Sequence, residues 1–201
     1  MTTPPTQSGD EGLTCGSLTH IDDQGRARMV DVTGKPLTHR VALAKCVVTT
    51  EADAINVLAE ASDGLDVVEG ARFAGIQAAK QTASLIPLCH PIRLDRVTVD
   101  VMVDVHEIEI SAVTEIVERT GVEMEALTAC AVAALTLVAT LIDVDPGASI
   151  GDLTLWHKSG GRSGDWVRSG PESRLTRHVT PPESKDMGAG GHALAGGTEG
   201  P

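Results

Sequence analysis

The chain has 201 residues, 41% of them hydrophobic and 22% charged, enough for one domain with a substantial core plus tails. A formal net charge of −12 at pH 7 excludes a general nucleic-acid binder, which needs a basic surface to neutralise phosphates. Cys15, Cys46, Cys89 and Cys130 lie far apart with no C-x-x-C pair, and neither a signal peptide nor a long membrane span is evident, so a reduced cytoplasmic protein away from membranes is expected.

Met1 to Gly16 is rich in Thr, Pro, Gly and acid, lacks apolar periodicity, and reads as a mobile lead-in without chemistry. The spacing then predicts a short strand over Arg28–Val32 and helices over Pro36–Ala44 and Glu51–Ala61, with Pro36 as an opening residue. A further helix, Ala71–Leu85, carries Phe73, Ile76, Ala79 and Ala83 as its apolar stripe and ends before Pro87. Val97, Val99, Val101, Val103 and Val105 alternate with other positions, and Ile108, Ile110 and Ala112 repeat the pattern, which predicts an antiparallel pair. Thr120 to Ile142 is apolar almost all round and opens on a capping box of Thr120 and Glu123, so it reads as a deeply buried central helix. Asp145, Pro146 and Gly147 stop it, and Ile150–Trp156 returns as a strand with Leu153 and Leu155 on one face.

These elements make an α+β domain over residues 17–169, helices packed on an antiparallel sheet. Phe73, Trp156 and Trp166 are the whole aromatic set, so the core is expected to be built from Ala, Val, Leu and Ile. Residues 170–201 turn Pro-, Ser- and Gly-rich and read as a disordered tail, in which His178 and His192 are solvent-exposed.

Three motifs carry candidate chemistry. Ile86–Pro91, IPLCHP, holds a thiol and an imidazole side by side between two prolines, either as a site or as an inert thiol beside a hydrogen-bonded turn histidine. No second Cys or His sits at metal spacing, so no metal site is expected. Glu123 is explained either as the capping-box acid or as a site carboxylate, and Glu125, two positions on, points to another helix face, which argues against an acidic dyad. Lys158–Gly164, KSGGRSG, combines two cations with glycines whose amides can turn toward an anion, or is a linker with solvated charges. It lacks the Walker pattern, and Arg72 and Lys80 either extend its positive patch or are merely solvated.

LTHIDDQGRARMVDV (Leu18–Val32), RFAGIQAAKQTASLIPLCHP (Arg72–Pro91), TGVEMEALTACAVAALT (Thr120–Thr136) and KSGGRSGDW (Lys158–Trp166) together resemble the MoaC family, the cyclic pyranopterin monophosphate synthases. The resemblance covers Leu18 to Trp166 in order. It implies a ferredoxin-like α+β protomer in a homohexamer, a trimer of dimers with sites near subunit contacts. It also implies a lyase reaction of molybdenum cofactor biosynthesis. That reaction rearranges a nucleotide-derived substrate, 3',8-cyclo-7,8-dihydroguanosine triphosphate, to cyclic pyranopterin monophosphate and pyrophosphate, without a metal or other cofactor. By the same resemblance Leu88, Cys89, His90, Met124 and Glu125 bind substrate, and Glu123 and Lys158 belong to the catalytic set, Lys158 stabilising phosphate or developing negative charge.

The chain departs from that pattern where the family carries a Y-D-M-C-K-A run after A-A-L-T. Ala139 stands at the position of its Asp and Ile142 at that of its Lys, while Gly64 replaces a second lysine in a K-K-G-D turn in which only Asp66 is kept. A positioned acid or base is worth about 10²- to 10⁴-fold in rate, so the replacements predict weak catalysis. Asp143, four residues past Ala139, offers a carboxylate on nearly the same helix face but about 6 Å along the axis. Three readings follow: a working synthase using Asp143 or another group, an impaired homologue that keeps its pocket or joins an active paralogue in a mixed oligomer, and a purely structural or interaction protein.

Overall fold

A computed structural model of the chain describes residues 20–61 and 66–169. The expected lead-in and tail, with Cys15, His178 and His192, lie outside the described residues, as does Gly64. The elements follow in the order β1 (Thr38–Thr49), α1 (Ala54–Glu60), α2 (Val67–Lys80), α3 (Thr82–Leu85), β2 (Arg96–Val103), β3 (Glu107–Glu118), α4 (Glu123–Leu141), β4 (Ser149–Ser159) and β5 (Trp166–Val167). All neighbouring strands are antiparallel, in the order β2-β3-β1-β4-β5. Without the short β5 this is the β-α-β-β-α-β ferredoxin-like arrangement, as expected for an α+β chain.

Alternation builds the core. Ala42, Ala44, Cys46 and Val48 of β1 share one face with Val99 and Val101 of β2 and Ile108, Ile110 and Ala112 of β3, and all are buried under α4 and α2. α4 meets them with Ala126, Ala129, Cys130, Ala133, Ala134, Leu137 and Leu141, a surface of mostly small side chains that lets helix and sheet approach closely. By length and composition α4 would pass for a membrane span, but it is half buried and is the core helix of the sheet. Gly75 on α2 carries the same logic: a Cβ there would lie 2.9 Å from the Ala129 carbonyl oxygen and 3.2 Å from the Ala133 Cβ.

The opposite sheet face buries a smaller central patch, Val41, Leu43 and Val113 with Trp156 packed against them, while Arg96, Asp100 and Met102 of β2 are exposed there. On it Lys45 and Glu109 form a buried pair at 3.4 Å, with the ammonium 5.1 Å from the Trp156 ring centroid.

Several local expectations change. Pro36–Ala44 is not a helix: from Thr38 onward it is β1, whose residues are buried on both faces, so the polar alternation that marks a half-exposed strand is missing. Arg28–Val32 lies outside the sheet, in a segment whose one isolated bridge joins Ile21 and Ala27. Phe73 is 70% exposed, because the buried stripe of α2 runs through Ala71, Gly75, Ala78 and Ala79. Leu153 is exposed while Leu155 packs on the core, since β4 has a register shift beside Asp152, whose φ is 52°.

Candidate functional site

The extended backbone of Ile86, imposed by the proline after it, ends the α2–α3 arm. Leu88 then takes φ 67°, a left-handed conformation that costs a branched residue on the order of 1–3 kcal/mol and clusters at functional sites. Cys89 and His90 follow directly, both half-buried. His90 Nε2 lies 2.9 Å from the Val30 carbonyl, an acceptor only, so this nitrogen carries a proton and donates it.

The second wall is the first turn of α4. Val122 is its N-cap and no side chain caps it, so the expected Thr120–Glu123 capping box does not form. Glu123 turns elsewhere: its carboxylate folds back over Gly121, where a Cβ would overlap it, and Oε1 lies 3.4 Å from Lys158 Nζ on β4. The register that pairs Lys158 with Ala42 of β1 sets the lysine at this height.

Leu88, Cys89, His90, Glu123, Met124 and Glu125 line one cavity of about 240 Å³. Glu123 and Glu125 thus share a site although they are two residues apart, because the cavity wraps the open end of the helix. Glu125 is buried, and burial pushes its carboxyl up to about 7, opposed by a hydrogen bond from its own amide and reinforced by the charge of Glu123. Burial also pushes the Cys89 thiol up, and the Glu125 charge adds to it, so the thiol is a neutral hydrogen-bonding group and not an activated thiolate.

Other candidates lie elsewhere. Gly160, Gly161 and Gly164 have positive φ, but the first two pack against His39 and Arg40, and the Gly160 amide donates to Asp165 at 3.3 Å, so that turn is no free anion cradle. Arg72 pairs with Glu69 on α2, and neither Arg72 nor Lys80 lines the cavity. Ala139, Ile142 and Asp143 are exposed at the far end of α4, and Asp66 serves as the N-cap of α2, accepting from the Val68 amide at 2.9 Å. Among the described residues no group of three or more His, Cys, Asp or Glu is placed to hold a metal.

The cavity also has a third wall that motif reading misses: His20, Val30, Val32 and Lys35. The D-V-T-G-K run of turn formers and the Leu18–Val32 stretch of the family resemblance are the sequence signals for it.

Residues 29–161 match the MoaC family. The chain is 52% identical over 164 residues to the cyclic pyranopterin monophosphate synthase of Thermomicrobium roseum, covering 80% of this chain and 98% of that protein. It is 48% identical over 164 residues to cyclic pyranopterin monophosphate synthase 2 of Mycobacterium tuberculosis, covering 80% and 97%. It is 46% identical over 170 residues to the Streptomyces coelicolor cyclic pyranopterin monophosphate synthase, covering 84% and 100%.

Proposed function

The chain belongs to the MoaC family, and from that premise we propose that it acts in molybdenum cofactor biosynthesis by binding 3',8-cyclo-7,8-dihydroguanosine triphosphate, with slow conversion to cyclic pyranopterin monophosphate and pyrophosphate when it acts alone. The observation that carries this reading is the convergence of Leu88, Cys89, His90, Glu123, Met124 and Glu125 on one cavity. Lys158 supplies positive charge beside it for phosphate or for negative charge developing in the reaction. Glu125, titrating near neutrality, is equipped to hold or release a proton, and the neutral Cys89 thiol to donate a weak hydrogen bond.

Ala139 and Ile142 are the reason for slow turnover. They also bear on assembly. Ala139 lies sixteen residues beyond Glu123 on α4, about 24 Å along the helix axis, so both ends of one helix do not serve one site within a chain. The cavity itself is smaller than the roughly 300–1,000 Å³ of an ordinary ligand pocket. Both observations support a site completed by a neighbouring subunit; that the subunits form a cytoplasmic homohexamer, a trimer of dimers, is proposed from the family resemblance alone. The same two observations also favour a second reading: in a mixed oligomer with an active paralogue, this chain contributes the Cys89 and Glu125 wall while its partner contributes the acid and the cation.

The test gives purified protein the cyclic dihydro-GTP intermediate and measures binding by calorimetry and product by chromatography. Binding with turnover at least about 100-fold below that of an ordinary synthase is expected. Turnover at the ordinary rate would overturn the impaired reading, and absence of binding would overturn the pocket.

A further inference from the structure

Cys46 and Cys130 lie outside the cavity and take no part in the chemistry argued above. Cys46 stands between Ala44 and Val48 on the core face of β1, and Cys130 stands on the buried face of α4, about two turns in from Glu123. Both thiols are free and both residues are 0% exposed. Ala126, Ala129, Ala133 and Ala134 flank Cys130 on that face, and such small side chains let the helix backbone approach the strand. Close approach is what a covalent bridge between the two elements requires, since a disulfide needs Cα atoms within about 7 Å.

Two contacts give the juxtaposition. The Cys46 thiol donates to the Cys130 carbonyl oxygen at 3.6 Å. The Cys130 thiol reaches the Ile110 carbonyl oxygen at 4.0 Å, and Ile110 is the residue paired with Cys46 across β1 and β3. Each sulfur thus lies against the backbone beside the other cysteine, and the two thiols hydrogen-bond one another. That bond first, and burial second, hold the Cys130 thiol well above its ordinary range, so it stays protonated while the domain is closed. Packing alone asks for no sulfur at either place, because the surrounding core is filled by Ala, Val, Ile and Leu.

We propose that Cys46 and Cys130 are a disulfide-forming pair, a redox-sensitive cross-link of β1 to α4 made by exchange with a low-molecular-weight disulfide, RS–SR, when α4 lifts from the sheet. One cysteine thiolate attacks a sulfur of RS–SR, forming a mixed disulfide and releasing RS⁻. The second thiolate attacks the protein sulfur of that mixed disulfide, forming the Cys46–Cys130 bond and releasing the second RS⁻. The two protons lost by the cysteines are taken up by the two RS⁻, so one RS–SR is reduced to two RSH as two protein thiols are oxidised. The opening begins at the first turn of α4, which has no side-chain cap and is tied to β4 by the half-exposed Glu123–Lys158 pair. Once closed, the bond joins positions 84 residues apart, is shielded by the core, and opposes further lifting of the helix that carries Glu123, Met124 and Glu125.

The probe is oxidised glutathione, incubated with the full folded chain, after which remaining thiols are alkylated and the protein is digested with trypsin without reduction. Cys46 and Cys130 fall in separate tryptic peptides, residues 46–72 and 120–158, and Cys89 falls in a third. The expected product is the first two peptides joined, accumulating at least about three-fold faster in urea too dilute to unfold the domain, as an opening-limited reaction should. The oxidised protein is expected to melt about 5 °C or more above the reduced one and to return to the lower value with dithiothreitol, and Cys130→Ala is expected to show no such rise.

Peptides 46–72 and 120–158 left unlinked, whether unmodified or each carrying its own glutathione, overturn the pair. So does a link that forms only above the unfolding transition, or a linked protein that melts no higher than the reduced one. Should Cys130→Ala fail to fold, the wild-type peptide map and its reversible melting shift decide the matter without it. None of these readouts depends on the ligand of the cavity.

Discussion

Lys158 Nζ lies 3.4 Å from Glu123 Oε1, joining the end of β4 to the first turn of α4 beside the cavity. The two side chains are 31% and 32% exposed, so water screens the pair and its contribution to stability is below about 1 kcal/mol. Lys158→Met and Glu123→Gln are therefore expected to shift the unfolding free energy by less than about 1 kcal/mol each, while Lys158→Met weakens binding of the cyclic dihydro-GTP intermediate about ten-fold. Denaturant melts and calorimetry measure the two effects. A stability loss well above about 2 kcal/mol with unchanged binding would make the pair a fold element and remove it from the site.

Glu125 sets a pH dependence of the opposite sign to that of an ordinary paired carboxylate. Its folded-state value, raised to about 7, means that the folded protein holds a proton the unfolded chain has already lost above about pH 4.5. Its contribution is complete below the unfolded value and is lost as pH rises through about 7, a decline of up to about 3 kcal/mol. Glu125→Gln, neutral at every pH, is expected to melt like the wild type at pH 5 and to be the more stable protein at pH 8. Parallel wild-type and variant stabilities across that range would show that the carboxyl ionises without penalty.

How far the sequence carried the fold depended on whether apolar and polar residue types alternate along each element. The valines of β2 alternate with exposed Arg96, Asp100 and Met102, and the isoleucines of β3 alternate with Glu107, Glu109 and Ser111, polar types although the last two are buried, so the pair is legible at once. β1 is buried on both sides, with Ala42 and Ala44 under the helices and Val41 and Leu43 on the other face, so its composition reads as readily as a helix. The site divides in the same way. IPLCHP and TGVEMEA mark two walls because their residue types are unusual for structure alone. The pairing of Glu123 with Lys158, and the arrival of Lys35 in the same cavity, depend on long-range register and on two side-chain-to-backbone contacts that leave no local pattern.

The close approach of α2 and α4 gives a test of the core. Gly75→Ala forces a methyl to within 2.9 Å of the Ala129 carbonyl and is expected to destabilise by about 1–3 kcal/mol, although alanine is the better helix former. Gly70→Ala on the same helix has open space around the added methyl and is expected to stabilise by about 0.5–1 kcal/mol. Thermal melts of the two variants should move in opposite directions. A stabilising Gly75→Ala would mean that the helices stand farther apart than described.

The length of α4 yields the sharpest test of the shared site. If Ala139 and Ile142 border the cavity of a neighbouring subunit, about 24 Å from the Glu123 end of their own helix, two incomplete chains can complete one another. One chain carries Gly64→Lys alone and keeps its Cys89 and Glu125 wall. The other carries Gly64→Lys, Ala139→Asp, Ile142→Lys and Glu125→Ala, which restores the acid and the cation while damaging the pocket. Each alone is expected to convert the cyclic dihydro-GTP intermediate poorly. Co-expressed and purified as mixed oligomers, they are expected to gain at least about ten-fold, because some interfaces then hold both an intact pocket wall and an intact acid–cation pair. A mixture no faster than the average of its parts, alongside full activity in a chain carrying Gly64→Lys, Ala139→Asp and Ile142→Lys with Glu125 intact, would place both walls within a single subunit. That outcome would require α4 to bend or break, since a continuous helix separates its two ends by its whole length.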